Sequence, residues 1–392
     1  MSDVRPGALS ALRRRHHEKV LETVAVAGAI HQAEIARISG LSRATVSTIV
    51  AELIDTGVVE VALRGRRHMV CLAQQPGFVV AVDYGHRHVT VAIADRDCDV
   101  LAGARHDLPE GADADTVLKH ARRLFAELLI RTGVGREEIV AAAIGLPAPL
   151  DRESWTVGSR GIVTGWQGRN IIELARDALG LDVPWHAEND ANLGALAEYR
   201  RMAARGDGSV RSLAFIKFGA GLGAGIVLDG RLLTGRDGTA GEIGHLVFDH
   251  ENGALCRCGN RGCLETRISV PVVAARVADV YGPRSIAEIV ALAEGGDELC
   301  RRTLVEAGAL MGSAVASIAN LLNPDVVVIG GEMERAASIV LPAIWDVVRR
   351  ECIAVAANSL RIVPSDLGSR AQVAGAVLAA VDLVSPVPMF GL

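Results

Sequence analysis

The chain has 392 residues, of which 50% are hydrophobic and 3% aromatic, and such a length predicts about two or three domains. No apolar run reaches the roughly 18 to 20 residues that a membrane span needs, and the basic N-terminus lacks the apolar stretch of a signal peptide, so no membrane association or secretion is predicted. The seven cysteines are an odd number, which is typical of a reduced, cytoplasmic protein.

Charge is divided unevenly along the chain. Residues 1–75 carry ten Lys and Arg against seven Asp and Glu, a net charge of +3, whereas the remainder carries 31 against 39, a net charge of −8. A small basic segment joined to a large acidic one is typical of a polyanion-binding module attached to another domain. The predicted first domain therefore covers residues 1–75.

This first domain is predicted to contain three helices, over residues 8–27, QAEIARISG and SRATVSTIVAELIDTG. Gly40 lies where the tight turn between the second and third helices needs a permissive backbone. Ser42 is a good N-cap for the third helix. This pattern is typical of a helix-turn-helix. The apolar positions predicted to face inward on the last two helices are Ile35, Ala36, Ile38, Val46, Ile49, Val50 and Leu53.

The outward face of the third helix is small and polar, which suits contact with base edges and phosphates in a DNA major groove. After Gly57 the chain reads as two strands around a basic tip, a wing that fits phosphate or minor-groove contact. The alternative is an ordinary three-helix bundle with a solvated basic hairpin. Charge, turn and wing together favour DNA binding. The candidate DNA-contacting residues are Ser42, Arg43, Thr45, Ser47, Thr48, Arg64, Arg66 and Arg67.

The rest of the chain alternates strands and helices, which predicts an α/β body. Two segments, FVVAVDYGHRHVTVAIADRD at 78 and SLAFIKFGAGLGAGIVLDGRLL at 212, each read as a pair of strands around a turn. Their similarity predicts two similar lobes with a cleft between them. Other predicted elements are helices at 114–132 and 170–180, and buried strands at 139–150, 183–190 and 323–333.

Four metal-binding side chains lie close together in the second half: His245, Cys256, Cys258 and Cys263. Three thiolates and one imidazole form a complete tetrahedral set for zinc, and because no open position is left, the zinc is predicted to be structural. The alternative is three buried free cysteines and an unrelated histidine. Three glycines would let the loop fold tightly around the ion. They are Gly253, Gly259 and Gly262.

These motifs resemble the ROK family of sugar kinases and repressors, in its regulator branch with an N-terminal winged helix. The most specific match is GTAGEIGHL with the three cysteines and Glu265, supported by END at 188–190, GAGLGAGIVLDG at 219–230 and VVVIGGE at 326–332. The resemblance implies a two-lobed, actin-like and hexokinase-like (ribonuclease H-like) ATPase-fold body. Its lobes are expected at residues 76–195 and 196–392, with the zinc loop at 245–263 and a C-terminal helix that packs back on the first lobe.

The resemblance also assigns sugar-binding roles to Asn189, Asp190, Glu242, His245 and Glu265. Carboxylates accept hydroxyl groups at defined angles, and the two nitrogens of His245 could serve zinc and sugar separately. Asp190 matches the residue that deprotonates the sugar hydroxyl in the kinases. The alternatives are salt bridges for the two glutamates and capping of the following helix for Asp190.

Kinases of this family carry an Asp-x-Gly-Gly-Thr turn that admits phosphate. Here Asp83 and Gly85 are present, but His86 and Arg87 replace the second Gly and the Thr, while the glycines of 219–225 are kept. Ala148 stands where the family usually has Gly near the sugar. The altered turn predicts that catalysis is absent.

The sequence therefore predicts a sugar-responsive transcriptional regulator, expected to be a repressor of carbohydrate-metabolism genes. Its partners would be operator DNA and a sugar effector, and it would form a homodimer or homotetramer that places two wings on a palindromic site. Two alternatives stay open: a glucokinase-like sugar kinase that carries a DNA-binding head, and a regulator whose pocket is vestigial.

Overall fold

The computed structural model describes residues 6–64, 67–73, 76–109, 111–158, 163–205 and 210–385. The chain divides into two compact units, the first mainly of residues 1–76 and the second mainly of residues 77–383. They are called the head and the body below.

Within its described residues, the head has three helices and a small antiparallel sheet. Its elements are α1 (Pro6–Ala27), β1 (Ala29–Ile30), α2 (Gln32–Ser39), α3 (Arg43–Asp55), β2 (Val59–Arg64) and β3 (Arg67–Leu72). The strand order in the sheet is β1-β3-β2. The paired strands β2 and β3 form the predicted wing, and Arg64 lies opposite Arg67 at its end.

The helix-turn-helix forms for the reasons that the sequence indicates. Gly40 ends α2 with a φ of 68°, in the left-handed region that favours glycine. The hydroxyl of Ser42 accepts a hydrogen bond from the amide of Thr45 at 3.1 Å and caps α3. One inward prediction is wrong: Ile38 is 53% exposed, because the buried side of α2 runs through Ile35, Ala36 and Ser39. The other inward residues are buried as predicted: Ile35, Ala36, Val46, Ile49, Val50 and Leu53.

The body begins with a five-stranded sheet and its helices. The elements are β4 (Phe78–Gly85), β5 (His88–Asp95), β6 (Val100–Asp107), α4 (Ala114–Thr132), β7 (Ile139–Leu146), α5 (Ile171–Leu179), β8 (Trp185–Asn189) and α6 (Asp190–Ala204). The strand order is β6-β5-β4-β7-β8. The central strand β4 is buried along almost its whole length, which explains its continuous run of apolar residues.

A second five-stranded sheet follows with its own helices. The elements are β9 (Ser212–Phe218), β10 (Leu222–Leu228), β11 (Arg231–Leu232), α7 (Glu265–Ile268), α8 (Val270–Tyr281), α9 (Ile286–Glu294), α10 (Glu298–Leu322), β12 (Val326–Gly330), α11 (Ala337–Glu351), α12 (Ala354–Ser359), β13 (Arg361–Pro364) and α13 (Ala371–Val384). The strand order is β11-β10-β9-β12-β13.

The two sheets have the same topology. In each, the first strand pairs antiparallel with the second and parallel with the fourth, and the fourth pairs parallel with the fifth. If the strands of each sheet are numbered 1 to 5 along the chain, both sheets have the order 3-2-1-4-5. This shared order confirms the predicted duplicated α/β fold of the ribonuclease H-like class. The similarity of two hairpins in the sequence therefore reflects two similar sheets.

Helix α6 joins the two sheets. It starts beside the first sheet at Asp190, runs across the predicted lobe boundary at residue 195 and packs on β9 and β10. A Cβ on Gly225 would stand 2.2 Å from the carbonyl oxygen of Ala191, so the glycine permits this contact. Near the C-terminus, Gly375 of α13 similarly approaches the backbone of Leu193.

Helix α10 is long and apolar enough, by length and composition alone, to cross a membrane. However, 56% of its most apolar stretch is buried within the body, which is the pattern of a core helix in a soluble protein. Gly308 and Gly312 lie against α11, where a Cβ would be within 3.0 Å of Val340 or Val347. Close helix packing therefore accounts for the apolar character of α10.

Candidate functional site

The candidate DNA-binding surface of the head is the start and outer face of α3. Ser42, Arg43, Ser47 and Thr48 are exposed, and Thr45 is half-buried. Ser42 and Thr45 also share a hydrogen bond of 2.8 Å between their hydroxyls, so both help to fix the helix start.

The wing is only partly described. The Arg67 side chain is exposed on β3. Arg66 and the side chain of Arg64 lie outside the described residues.

In the body, the five predicted sugar-binding residues lie around one small cavity with a volume of about 30 Å³. We call it the first cavity. The β7 end, the start of α6, the β9–β10 loop and the 241–265 segment all contribute to it. Its lining residues are His86, Pro147, Ala148, Pro149, Asn189, Asp190, Lys217, Gly221, Leu222, Gly223, Glu242, His245, Arg257 and Glu265.

Asn189 has a structural role in addition to its place in the cavity. Its Oδ1 accepts hydrogen bonds from the amides of Ala191 at 2.9 Å and Asn192 at 3.3 Å, so Asn189 rather than Asp190 caps α6. Its Nδ2 donates to the carbonyl of Ala148 at 3.3 Å. This contact ties the cavity to the segment where the chain departs from the family pattern.

Asp190 is almost fully buried and its carboxylate contacts the ammonium of Lys217, which projects from β9. Burial raises the pKa of Asp190 above its usual value despite this contact, which favours the charged form. The carboxylate of Asp190, which would have to act as the base in a kinase, is therefore already paired with Lys217.

The two glutamates of the cavity have different surroundings. Burial, followed by the charges of Asp190 and Glu265, raises the pKa of Glu242 to about 7. Glu265 forms a salt bridge with Arg257 at 3.0 Å, and it accepts a hydrogen bond from the backbone amide of Leu222 at 2.9 Å. The salt-bridge alternative thus holds for Glu265, which nevertheless lines the cavity.

The four predicted metal ligands form a compact cluster: the ligand atoms of His245, Cys256, Cys258 and Cys263 all lie within 4.8 Å of one another. The Nδ1 of His245 is 3.6 Å from the Sγ of Cys256, and the Sγ atoms of Cys258 and Cys263 are 3.6 Å apart. A tetrahedral zinc with bonds of about 2.0 to 2.3 Å needs ligand atoms about 3.5 to 3.8 Å apart. The donor set and its spacing therefore fit zinc.

The loop around this cluster is shaped by its glycines. Gly262 has a φ of 74°, and a Cβ there would stand 1.8 Å from the carbonyl oxygen of Asp249. A Cβ on Gly253 would lie 2.2 Å from the Cα of Gly262, so the two backbone segments of the loop can approach this closely only because both residues are glycine. Gly259 turns between Cys256 and Asn260 with a φ of 95°. The predicted role of these glycines is confirmed.

His245 lies between the metal cluster and the first cavity. While Nδ1 faces Cys256, Nε2 lies 3.7 Å from a carboxylate oxygen of Glu242. The ring therefore presents one nitrogen to the candidate metal ligands and the other to Glu242, and its contacts with zinc and sugar stay predictions.

A second cavity, with a volume of about 930 Å³, adjoins the first. It lies beside the turn where kinases of this family bind phosphate. Asp83 is buried there, and its carboxylate accepts a hydrogen bond from Nε2 of His88 at 3.0 Å. The ring of His88 covers Gly85 so closely that a Cβ on the glycine would lie 2.2 Å from its Cε1. A phosphate could not approach the Gly85 backbone without moving this ring.

His86 lies between the two cavities and lines both. Burial, and then the nearby charges of Lys217 and Arg257, lower the pKa of His86 to about 3, so the ring is neutral at physiological pH. Its Nε2 would be 2.9 Å from a Cβ on Gly221. His86, which replaces the second glycine of the kinase turn, therefore occupies the space beside the glycine-rich segment 219–225.

Sequence reasoning missed three residues of the site: Lys217, His88 and Arg257. Lys217 is the one charged residue in the strand SLAFIKF, which was a usable signal. His88 faces Gly85 directly across the β4–β5 hairpin, as expected for so short a turn. Arg257 stands between two predicted metal ligands, and nothing in the sequence pairs it with Glu265.

The head and body together define a DNA-binding regulator built on a two-lobed actin-like fold. A winged helix-turn-helix DNA-binding profile matches residues 13–60, and the profile of the ROK family matches residues 79–382. Because the second match spans most of the chain, this protein belongs to the ROK family, and its head places it among the family's transcriptional regulators.

The chain is similar to both repressors and sugar kinases. The xylose repressor of Caldicellulosiruptor bescii is 28% identical over 379 residues, which cover 91% of this chain and 93% of the repressor. The glucokinase of Thermotoga maritima is 29% identical over 314 residues, which cover 76% of this chain and 95% of the kinase. The crystal structure of a ROK family transcriptional regulator, described as a homolog of the E. coli MLC protein, matches with a TM-score of 0.78 and 28% identity over 93% of this chain and 95% of its own.

Proposed function

We propose that this protein is a cytoplasmic, sugar-responsive repressor of carbohydrate-metabolism genes. The main support for this proposal is that one chain contains both a candidate DNA-binding surface and a candidate sugar site. The head exposes polar residues along α3, and the body gathers Asn189, Asp190, Glu242, His245 and Glu265 around one cavity. The similarity to a xylose repressor over 91% of the chain supports the same function.

DNA recognition is assigned to α3 and the wing. Arg43, exposed at the first turn of α3, is placed to reach a base edge or phosphate once the helix enters a major groove. Arg67 and the neighbouring Arg64 and Arg66 would contact the backbone or minor groove. A dimer would place two such heads on half-sites about one helical turn apart or a multiple of it.

Sugar recognition is assigned to the first cavity. The carboxylates accept sugar hydroxyls and the amide of Asn189 donates or accepts. Because the cavity is narrow, lining side chains or the lobes must move to admit a sugar ring. That requirement supports a coupling in which the sugar changes the arrangement of the lobes and thereby the placement of the two heads of an oligomer.

A structural zinc is assigned to His245, Cys256, Cys258 and Cys263. The ion would hold the 245–263 loop in shape and fix the orientation of His245. Four protein ligands leave no position for water, so the zinc would contribute stability and not hydrolysis.

The alternative is a sugar kinase with a DNA-binding head. The second cavity and the glucokinase relative favour it. Against it, His88 covers Gly85, His86 fills the junction of the cavities, and Lys217 engages Asp190. Isothermal titration with ATP in the presence of a bound sugar separates the two functions: saturable micromolar binding with ADP release would establish the kinase.

The direct test of the regulator begins with DNA fragments selected from a random library by the full-length protein. Thermal unfolding in the presence of single sugars identifies those that bind the folded state, because such a ligand raises the melting temperature. The proposal expects at least one sugar to raise the melting temperature and to change the affinity for the selected DNA. If no sugar does either, the pocket is vestigial and the proposal is wrong.

A further inference from the structure

A buried carboxylate lies next to the first cavity, at the junction between β8 and α6. Glu188 is the last residue but one of β8, is 5% exposed, and is not among the residues that line the two described cavities. The two residues that follow it, Asn189 and Asp190, both line the first cavity. The placement of two candidate sugar-binding residues therefore depends on how this junction is held.

One oxygen of Glu188 connects the strand to the helix. Its Oε1 accepts hydrogen bonds from the backbone amide of Asn189 and from Nδ2 of Asn192, both at 2.9 Å. Asn189 ends β8, whereas Asn192 lies in the first turn of α6 and is 2% exposed. A single acceptor thus ties the end of β8 to the start of α6.

The other oxygen of Glu188, Oε2, has no hydrogen-bond partner among the described residues. It lies 3.6 Å from Nε2 of His186 and 3.8 Å from the guanidinium of Arg152, beyond normal hydrogen-bond distance. Burial alone would raise the pKa of Glu188, but His186, Asn192 and Arg152 hold it below its usual value. Glu188 is therefore ionised at neutral pH, and its hydrogen bonds are made by Oε1.

The charge of Glu188 has a physical purpose at this junction. A neutral side chain would cost less to bury, because a carboxylate loses its hydration there. In return, an ionised acceptor forms stronger hydrogen bonds than a neutral one. Asn189 is also held by its own side chain, which caps α6 and donates to the carbonyl of Ala148. These contacts together leave Asn189 little freedom to turn away from the first cavity.

We propose that Glu188 is a positioning residue for the sugar: it does not contact the ligand, and it acts by holding Asn189 and the start of α6 in the orientation that binding requires. This inference rests on the proposed sugar-sensing function and concerns the same site. It assigns Glu188 a role in ligand affinity in addition to any role in the stability of the fold.

The test measures sugar affinity of the full-length protein by isothermal titration. The ligand is whichever of glucose, xylose, galactose, mannose and N-acetylglucosamine most raises the melting temperature of the wild type. Glu188→Met removes the acceptor, whereas Glu188→Gln keeps an amide oxygen that can accept the same two hydrogen bonds. We expect Glu188→Met to raise the dissociation constant at least tenfold, and Glu188→Gln to raise it no more than threefold.

The matched control is a second buried glutamate of α6. Glu198 is 1% exposed and accepts hydrogen bonds from the hydroxyl of Ser365 and the backbone amide of Leu367, so Glu198→Met also removes a buried acceptor with two partners. Glu198 is not among the residues that line the first cavity. Both Met variants should have lower melting temperatures, but only Glu188→Met should lose sugar affinity. Equal losses of affinity would show that Glu188 acts through stability alone, and the inference would be wrong.

A double-mutant cycle tests whether Glu188 acts through its neighbour. Asn189→Ser keeps a capping oxygen and removes the amide that faces the cavity. If Glu188 positions that amide, Glu188→Met should weaken sugar binding less in the Asn189→Ser background than in the wild type. Full additivity of the two substitutions would contradict this route.

A milder variant covers the case in which Glu188→Met does not fold. Asn192→Ala removes one of the two donors to Glu188 and should raise the dissociation constant at least threefold. Unchanged sugar affinity in folded Glu188→Met, or in Asn192→Ala if Glu188→Met does not fold, overturns the inference while the sugar-responsive regulator stands. If no sugar raises the melting temperature of the wild type, the proposed function fails and the inference fails with it.

Discussion

The imidazole Nδ1 of His245 lies 3.6 Å from the Sγ of Cys256, while the same ring lines the first cavity beside Glu242. A single side chain thus connects the metal cluster to the candidate sugar site. Loss of the proposed zinc should consequently release the ring that faces the candidate sugar site, and this would link a structural ion to ligand sensing.

Cys258→Ser removes one of the four proposed metal ligands. We expect the wild-type protein to purify with about one zinc ion per chain and the variant to lose it. Hydrogen exchange should increase across residues 245–265, and the sugar-induced rise in melting temperature should disappear. Cys98→Ser, in the β5–β6 turn, is the matched control and should keep the zinc. A zinc-free Cys258→Ser protein with a normal sugar response would show that the cluster has no part in sensing.

Arg43→Ala removes an exposed cation at the start of the helix proposed to enter the DNA groove. We expect the affinity for selected DNA to fall by about 1 to 3 kcal/mol if the side chain contacts a base edge, with relaxed preference at that base pair. Fluorescence anisotropy measures both. Arg302→Ala, an exposed arginine of α10, removes the same charge from the body and should have no effect. Equal affinities of wild type and Arg43→Ala would remove Arg43 from the interface.

Asn189 has two roles that substitutions can separate. Asn189→Ala removes both the cap of α6 and the amide, and should lower the free energy of unfolding by about 1 kcal/mol as well as weaken sugar binding. Asn189→Ser keeps a capping oxygen and should retain most of the stability while losing the amide's contact with sugar. Urea denaturation and sugar titration of the two variants measure these effects. Normal sugar affinity in Asn189→Ser would restrict Asn189 to capping.

Asp325 provides a pH-dependent test of the second sheet. It accepts hydrogen bonds from the amides of Arg211 and Ser212, both at 2.9 Å, and from the Ser212 hydroxyl at 2.9 Å. Burial alone would raise the pKa of Asp325, but these hydrogen bonds lower it below its usual value. Its stabilising contribution is therefore present above the unfolded-state pKa and lost as pH falls through the lower folded-state pKa.

We accordingly expect Asp325→Asn to lower the free energy of unfolding by about 1 kcal/mol at pH 7, a small value because the group is partly exposed. The difference from wild type should shrink as pH falls below about 4. Urea denaturation between pH 7 and pH 3 tests this, with the exposed Asp346→Asn as control. A difference that does not vary with pH would contradict the assignment.

Much of the fold could be predicted because its signals are local. Gly40 and Ser42 mark a turn and a helix start by their own backbone preferences. The cysteines and His245, which lie close together in the sequence, mark a loop whose side chains form a candidate metal site. The duplicated sheets could be predicted from two similar hairpins. These features depend on residues close together in the chain, where short-range sterics and hydrogen bonds decide the structure.

The details that decide the chemistry depend on distant contacts. The pairing of Lys217 with Asp190 joins β9 to the start of α6, and the cover of His88 over Gly85 depends on a side-chain orientation that a sequence does not specify. The apolar character of Ile38 predicts an inward position, yet the buried side of the short α2 runs through Ile35, Ala36 and Ser39 and excludes it. The capping of α6 by Asn189 rather than Asp190 depends on where the helix begins, by a single residue.

The central claim is that a sugar bound in the body changes DNA binding by the head. The most direct measurement is the dissociation constant of the full-length protein for its selected DNA, with and without a saturating concentration of the sugar that most raises its melting temperature. A change of at least fivefold is expected from typical coupling between two sites, and DNA should change the affinity for the sugar by the same factor. An unchanged dissociation constant at saturating sugar would contradict the account.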